Sequence, residues 1–362
     1  MNKNMYVKKV FAILFIIILT ISTVACSAGT KEASNQSITG NNTNKTVGAI
    51  DKNNKDSFNV TLVGGVVGGF WSGMGTAISQ VFAKSYPGSA ATYEPGSGAG
   101  NIKLLDEKQV EVGLVQSVEV IAAQKGIEPF TKKFENLHAL AAVYDNAVLQ
   151  IAVSKSFADK YGVHNFDDVI AKKAPIRIGI NQKGNLNSTA SLAVLESYGL
   201  TEDVLKKWGG AVSYLGGSPA QRLEAIQTGR TDVSMGYTFA PDKDILEAAV
   251  KTKFELWSIN ENALNKLKAD WDLNRKVITK GTYEWQKEDV TTASMGALIL
   301  VGTKAKDQDV YKMAKALKEN IDILKNVHPA LKDLSPQRLA DTGAIPLAPA
   351  AKEYYKEIGA IK

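Results

Sequence analysis

Four short segments rich in Gly, Ser and Asn carry the residue types that bind small anionic groups. They span residues 64–69, 95–100, 116–117 and 183–188, and each follows a predicted strand and precedes a predicted helix. In open α/β sheets, ligands bind beyond the carboxyl ends of the strands, where helix N-termini present unpaired N–H groups that suit a carboxylate. A single turn of this kind is common, so the prediction depends on four of them in equivalent places.

The residues predicted to contact a ligand lie in these turns, at the helix starts that follow them, or at the end of one further strand. They are Gly65, Phe70, Trp71, Ser72, Gly96, Ser97, Gly98, Asn101, Gln116, Ser117, Lys183, Gly184, Asn185, Asn187, Ser188, Thr189 and Tyr237. Glycine lets a backbone approach closely, and hydroxyls and amides add directional hydrogen bonds. Lys183, or the helix start at Ser188, is expected to meet a carboxylate. A Lys183 that faces solvent and a Phe70 that packs on its own core are the alternatives.

Catalytic motifs are not found in the sequence. It has no Gly-x-Ser-x-Gly, no Ser-x-x-Lys, no phosphate loop that ends in Gly-Lys-Ser/Thr and no His-Glu-x-x-His. The three histidines, His138, His164 and His328, are dispersed and are expected to be surface or packing residues. We therefore predict a protein that is not an enzyme and that has no cofactor and no metal. A hydrolase without a recognisable motif is the alternative.

Strand-like and helical segments alternate from Phe58 onwards, which indicates an α/β fold. Predicted strands span residues 58–63, 90–93, 112–115, 176–180, 212–215, 233–237 and 295–301, and two apolar runs at 140–144 and 148–153 are separated by Asp145-Asn146. Predicted helices begin near Ser72, Asn101, Ser188, Pro219 and Asp244; long helices follow at 307–324 and beyond Ala350.

The α/β pattern restarts near residue 150 without a Pro-, Gly- or Ser-rich linker. We predict a two-lobed clamshell of the type II kind, in which each lobe is a mostly parallel sheet flanked by helices. Lobe 1 is assigned to residues 57–147, lobe 2 to 148–292, and residues 293–362 return to lobe 1 and add C-terminal helices. Hinge strands near 143–150 and 294–301 would join the lobes. Two independent domains on a flexible linker are the alternative.

The N-terminus has the features of an export signal. Lys3, Lys8 and Lys9 precede an apolar run at 10–21, which is shorter than the ~20 residues that a membrane-spanning helix needs. Val24-Ala25 precede Cys26, the only cysteine, so no internal disulfide can form. Because Thr23-Val24-Ala25-Cys26 resembles a bacterial lipobox, we predict a signal peptide at 1–25, a lipid anchor on Cys26 and a flexible tether at 26–56. Two or more acyl chains would hold the protein stably at a membrane. An ordinary signal peptide with a chance cysteine is the alternative.

The charge pattern gives no sign of a nucleic-acid partner. Removal of residues 1–25 would take three positive charges from the formal net charge of +6, and the remaining cations are scattered among acids. A basic stripe with interleaved aromatic residues, the usual footprint of nucleic-acid binding, is not found.

Several motifs, taken in order, resemble the TAXI-type solute receptors of TRAP transporters. They are VGGVVGGFWSGMG (63–75), PGSGAGN (95–101), VGLVQS (112–117), YLG (214–216), KGTY (280–283), NVHPAL (326–331) and GAIPL (343–347), followed by Tyr354-Tyr355. The resemblance covers nearly everything after Phe58. It departs from the family's usual pattern at Phe70-Trp71-Ser72, at Val118 and at residues 181–188.

The resemblance implies an extracytoplasmic, monomeric receptor of the periplasmic-binding type that delivers a small solute to a fused membrane permease driven by an ion gradient. It also implies an amino acid or organic acid such as glutamate, glutamine or a dicarboxylate as the solute. Two alternatives stay open. One is a receptor for an ATP-driven importer, and the other is a ligand-sensing surface lipoprotein.

Overall fold

A computed structural model describes residues 49–216 and 218–362. The predicted signal peptide, Cys26 and the tether up to residue 48 lie outside the described residues. The last tether residues are bound to the folded part, contrary to the prediction. Lys52 Nζ lies 2.7 Å from Glu357 Oε2, and the Asp51 backbone exchanges two hydrogen bonds with the Gln308 side chain.

In the described residues, ten strands form one continuous mixed sheet. In chain order the strands are β1 (Asn59–Val63), β2 (Ala90–Glu94), β3 (Val112–Gln116), β4 (His138–Ser154), β5 (Arg177–Ile180), β6 (Ala211–Tyr214), β7 (Val233–Thr238), β8 (Phe254–Leu256), β9 (Asn274–Ile278) and β10 (Val290–Val301). All seven strands predicted as single elements are present, with shifted ends.

Fourteen α-helices cover the sheet in the part of the chain that the structure describes. They are α1 (Phe70–Ser85), α2 (Gly98–Asp106), α3 (Ser117–Lys125), α4 (Lys155–Tyr161), α5 (Phe166–Lys172), α6 (Leu186–Ser197), α7 (Glu202–Lys207), α8 (Pro219–Gln227), α9 (Lys243–Ala249), α10 (Glu261–Trp271), α11 (Asp307–Glu319), α12 (Ile321–Lys325), α13 (Pro336–Ala340) and α14 (Pro349–Glu357). A short 3-10 helix spans Pro329–Leu331.

Each lobe repeats the same strand order. The first lobe has the order β2-β1-β3-β10-β4 and the second has β6-β5-β7-β4-β10, so β4 and β10 belong to both. Within each lobe the first three strands are parallel, and β4 and β10 run antiparallel to each other. The fold is therefore the predicted α/β clamshell, with two shared strands as its hinge. The exact lobe boundaries at residues 147 and 292 stay a prediction.

The hinge strands are longer than predicted. The two apolar runs on either side of Asp145-Asn146 form the single strand β4, because the polar break is accommodated by register shifts against β10. β10 begins at Val290, five residues before the predicted start, and pairs there with β9, which the sequence did not reveal. Nearly every residue of both strands is buried, as expected for strands covered on both faces.

Two helix predictions were wrong in their limits. α2 begins at Gly98, three residues before Asn101, because Ser97 already has extended N-cap geometry. The segment 307–324 forms two helices, since the chain leaves the helical conformation at Asn320, whose side chain donates to Ser85 Oγ.

Ile299 of β10 lies at the centre of the first-lobe core. It is 1% exposed and pairs with Leu114 of β3 and Ala141 of β4. We predict that Ile299→Ala lowers the free energy of unfolding by about 2–5 kcal/mol, because the truncated side chain leaves a cavity between packed strands. Urea denaturation followed by circular dichroism measures this loss of stability.

Val277→Ala, at a partly exposed position of β9, is the control and should change stability by less than about 0.5 kcal/mol. Equal losses in the two variants would contradict this view of the core.

Candidate functional site

The carboxyl ends of the parallel strands of the two lobes converge on the middle of β4. Gln116 at the end of β3 pairs with Ala297, which pairs with Tyr144 of β4, whereas Thr238 at the end of β7 pairs with Val148. The two ends therefore lie four residue positions apart along β4, or about 13 Å at ~3.3 Å per residue. We call the space at this junction the interlobe cleft.

The first turn, which follows β1, is held by Tyr93 and Asn101. Tyr93 Oη donates to Gly65 O at 2.7 Å, and Asn101 Nδ2 donates to Gly64 O at 3.0 Å and to Leu114 O at 2.7 Å. A Cβ at Gly64 would lie 2.5 Å from Tyr93 Oη, so glycine is needed there for the approach of Tyr93. Asn101 is fully buried and joins the ends of β1 and β3.

The second turn packs on the first. Gly96 is half-buried and its Cα faces the Asn101 side chain, while Ser97 is exposed and its carbonyl accepts from Asn101 N at 2.7 Å. A Cβ at Gly98 would overlap both carboxylate oxygens of Glu119, so the first residue of α2 must be glycine if Glu119 is to lie there.

Glu119 brings a buried carboxylate to the start of α3. Its Oε2 accepts from Gln116 N at 2.7 Å, and the two residues form a capping box. The residue is 8% exposed, and burial raises the pKa of its carboxyl to about 7 against a smaller lowering by the Gln116 N–H. At the same helix start, Ser117 Oγ accepts from Gly296 N of β10 at 3.1 Å.

Tyr144 of β4 connects the turns of the first lobe at the hinge. The polar groups of Trp71 and Gln116 lie beside its hydroxyl, and Glu119 is close enough to act on it electrostatically. Burial raises the pKa of Tyr144, so its hydroxyl stays protonated at neutral pH. Trp71 itself is half-buried in the first turn of α1, where Ser72 Oγ donates back to Gly69 O.

Four rings cross the interlobe cleft between the lobes. Phe70 contacts Tyr144, Phe239 and His328 edge-on, with ring centroids 5.9, 5.6 and 5.7 Å away. Phe239, which follows β7 in the second lobe, also lies 5.0 Å from Tyr144 and 4.8 Å from His328. Phe70 therefore packs on the opposite lobe as well as on its own, and His328 is a packing residue whose pKa is lowered by burial.

In the second lobe, the side chains of three predicted residues bond to nearby backbone. Asn185 Oδ1 accepts from Asn187 N, and Ser188 Oγ donates to the carbonyls of Asn185 and Gln182. The Asn187 side chain bonds both the N–H and the carbonyl of Tyr237. These groups fix the start of α6 against β7.

The remaining predicted residues of this lobe differ in exposure. Lys183 and Gly184 are exposed, with Lys183 Nζ 5.9 Å from the centre of the Tyr214 ring, and Thr189 is half-buried. Tyr237 is buried, and its hydroxyl has no hydrogen-bond partner among the described residues. Lys183 is thus the cation of this turn that stays available to an anion.

The sequence matches the NMT1-like family over residues 62–359. The chain belongs to this family. The matched range includes both lobes and all of the turns described above.

Solved structures with a similar fold include three from bacteria. The periplasmic aliphatic sulphonate binding protein SsuA from Escherichia coli is 15% identical, with 82% of each chain covered and a TM-score of 0.44. MatC from Rhodopseudomonas palustris, solved with bound malate, is 13% identical over 83% of this chain and 96% of that one, with a TM-score of 0.48. The probable amino-acid ABC transporter extracellular-binding protein ytmK from Bacillus subtilis is 15% identical over 77% and 98%, with a TM-score of 0.41.

Sequence reasoning missed Glu119, Tyr144, Phe239 and Tyr93 at this site. The pair Gln116 and Glu119, three residues apart at a helix start, is a capping-box signal that could have located Glu119. Tyr144 and Phe239 had no such signal, because each looks like an ordinary core residue at a strand end.

Among residues 49–216 and 218–362, no group of three or more His, Cys, Asp or Glu side chains is placed to hold a metal ion. Within the same residues, no helix is both long and apolar enough to cross a bilayer.

The raised pKa of Glu119 gives a prediction for stability against pH. Between about pH 4.5 and 7 the unfolded chain ionises this carboxyl while the folded protein keeps it protonated, so the folded state loses up to about 3 kcal/mol as the pH rises. Glu119→Gln keeps an acceptor for Gln116 N and removes that loss. Relative to the parent protein, the variant should therefore become more stable from pH 4.5 to 7.5 in urea titrations without ligand. A difference in stability between the variant and the parent protein that does not change with pH would contradict the raised pKa of Glu119.

Proposed function

We propose that the protein is an extracytoplasmic solute receptor, anchored to the membrane through Cys26, that delivers a small amino acid or organic acid to a TRAP-type permease. The observation that carries the proposal is the meeting of the two lobes' carboxyl strand ends at the middle of β4, with Phe70 and Phe239 in contact across them. A ligand at that place touches both lobes at once. The TAXI-like motifs at these turns support the TRAP-type partner.

The mechanism follows from differential affinity. A solute that contacts both lobes binds the closed arrangement more tightly than an open one, and so shifts the equilibrium towards closure. The register shifts of β4 against β10 lie between Met295 and Leu300, next to the cleft, and supply the irregular pairing that a hinge requires. The Cys26 anchor and its tether would keep the receptor beside its permease. This role needs no catalytic group.

Ligand identity and transport energetics test the proposal separately. Native mass spectrometry of the purified protein should reveal a bound small molecule, and amino acids or organic acids of that class should raise the apparent melting temperature. Cells that depend on this receptor should lose uptake of that molecule when an ionophore collapses ion gradients. Uptake that survives the ionophore but stops with vanadate would indicate an ATP-driven importer. A protein with no ligand and no effect on uptake would indicate a surface sensor.

Trp71 provides a mutational test of the cleft. We predict that Trp71→Ala weakens solute binding about tenfold or more, because it removes a large ring and the indole N–H beside Tyr144. The fold should be retained, since Trp71 is only half-buried. Calorimetry gives the dissociation constant and circular dichroism checks folding. Trp208→Ala, in the second lobe away from the cleft turns, is the control. An unaltered dissociation constant in the Trp71 variant would remove this residue from the site.

A further inference from the structure

A cavity of about 270 Å³ lies in the second lobe, away from the interlobe cleft. Its walls come from β8, from the segment that leads into β10 and from His164. Glu255 of β8 pairs with Val153 of β4, whereas Thr238, at the cleft end of β7, pairs with Val148. Val148 and Val153 lie five positions apart along β4, or about 17 Å at ~3.3 Å per residue. A ligand in this cavity would therefore contact the second lobe alone.

Glu255 supplies a carboxylate to this cavity. The residue is half-buried, accepts from the indole Nε1 of the buried Trp257 at 2.6 Å, and lies 3.2 Å from His164 Nδ1. No Lys or Arg side chain of the described residues forms an ion pair with it. Lys155 is near enough to act on Glu255 electrostatically, but its Nζ pairs with Asp159 at 2.7 Å. The carboxylate is thus fixed in position by two neutral donors and has no permanent cation beside it.

Aromatic rings form much of the remaining wall. Trp285 is half-buried, lines the cavity and stacks on Tyr283, with ring centroids 5.2 Å apart. Phe254 and Trp257 also line the cavity, and the Phe254 ring lies 6.4 Å from that of Trp285. Lys287 borders the cavity, but its Nζ donates to a backbone carbonyl of its own segment at 3.0 Å. Ring faces attract organic cations through their quadrupole, and a neighbouring carboxylate adds a full opposite charge.

We propose that this cavity is a second binding site, which takes the ammonium group of a small organic cation against Glu255 and the rings of Trp285 and Phe254. Pockets for drug-sized ligands measure about 300–1,000 Å³, so a cavity of about 270 Å³ suits a smaller molecule. The solute of the proposed receptor is expected between the lobes, and this site contacts one lobe only. The inference therefore goes beyond the receptor function and does not depend on it.

The test compares choline with its uncharged isostere 3,3-dimethylbutan-1-ol, which has a carbon in place of the charged nitrogen. An NMR titration of the ¹⁵N-labelled protein follows the indole N–H signals of the five Trp residues, each assigned by substitution with Phe. Choline should shift the Trp257 signal, because that N–H donates to Glu255, and should leave the Trp71 signal in place. It should bind at least about tenfold more tightly than the alcohol.

Three variants locate the site. Glu255→Gln keeps an acceptor for the Trp257 N–H and removes the charge, so it should bring the affinity ratio of choline to the alcohol to within a few-fold of one. Trp285→Leu keeps an apolar side chain and removes the ring, and should weaken choline binding about three- to tenfold. Glu247→Gln is the control. It removes the same charge from an exposed position of α9 that does not line the cavity, and should leave choline binding unchanged.

The outcomes separate this inference from the receptor function. No shift of the Trp257 signal, equal affinity for the alcohol, or a preference for choline that survives Glu255→Gln overturns the second site. A shift of the Trp71 signal alone would place choline in the interlobe cleft and overturn it as well. If Glu255→Gln does not fold, the affinity ratio and the Trp257 shift of the parent protein still decide. A protein without a solute in native mass spectrometry would count against the receptor function only.

Discussion

The sharing of β4 and β10 by both lobes is the constraint on which the rest of the structure depends. These antiparallel strands bond to β3 in one lobe and to β7, β8 and β9 in the other. Because each lobe builds its parallel strands against the same pair, the carboxyl ends of those strands must point towards the middle of the pair. The position of the cleft is therefore a consequence of topology, and the turns only supply its chemistry.

The polar break in β4 lies at the point where the lobes meet. Asp145 Oδ2 lies 2.9 Å from Lys276 Nζ of β9 and 2.7 Å from Arg338 Nη1 of α13, so it pairs with one cation from each side of the hinge. All three side chains keep 23–33% of their surface exposed, and ion pairs of this kind contribute little to stability. These ion pairs compensate the charge of Asp145, which lies in an otherwise apolar strand. They do so without packing the hinge rigidly.

The sequence predicted the fold well because strand-like and helical segments alternate with strong apolar periodicity and several of the strands are followed by Gly- or Asn-rich turns. It predicted the cleft's location through the same turns, but it could not separate residues that bond the turn from residues that face a ligand. Asn101, Asn187 and Ser188 have the polar groups of ligand contacts, yet their side chains bond neighbouring backbone. Such bonds depend on the spatial neighbours of each turn. For that reason the hinge residue Tyr144 and the cross-lobe Phe239 were also not predictable.

Many polar side chains of the turns bond to the protein itself, so few of them are left to bind a solute. The Asn101 Nδ2 group, the Asn187 amide and the Ser188 hydroxyl bond to neighbouring backbone. Glu119 accepts from Gln116 N, and the Tyr144 hydroxyl lies beside the polar groups of Trp71 and Gln116. Among the described residues of the turns and strand ends, the Tyr237 hydroxyl has no hydrogen-bond partner and Lys183 is exposed. Recognition of a solute would therefore depend on few polar groups and on the apolar contact of Phe70 with Phe239 across the lobes. A solute that contacts both lobes would gain affinity when the cleft closes, so closure itself would contribute to the choice of solute.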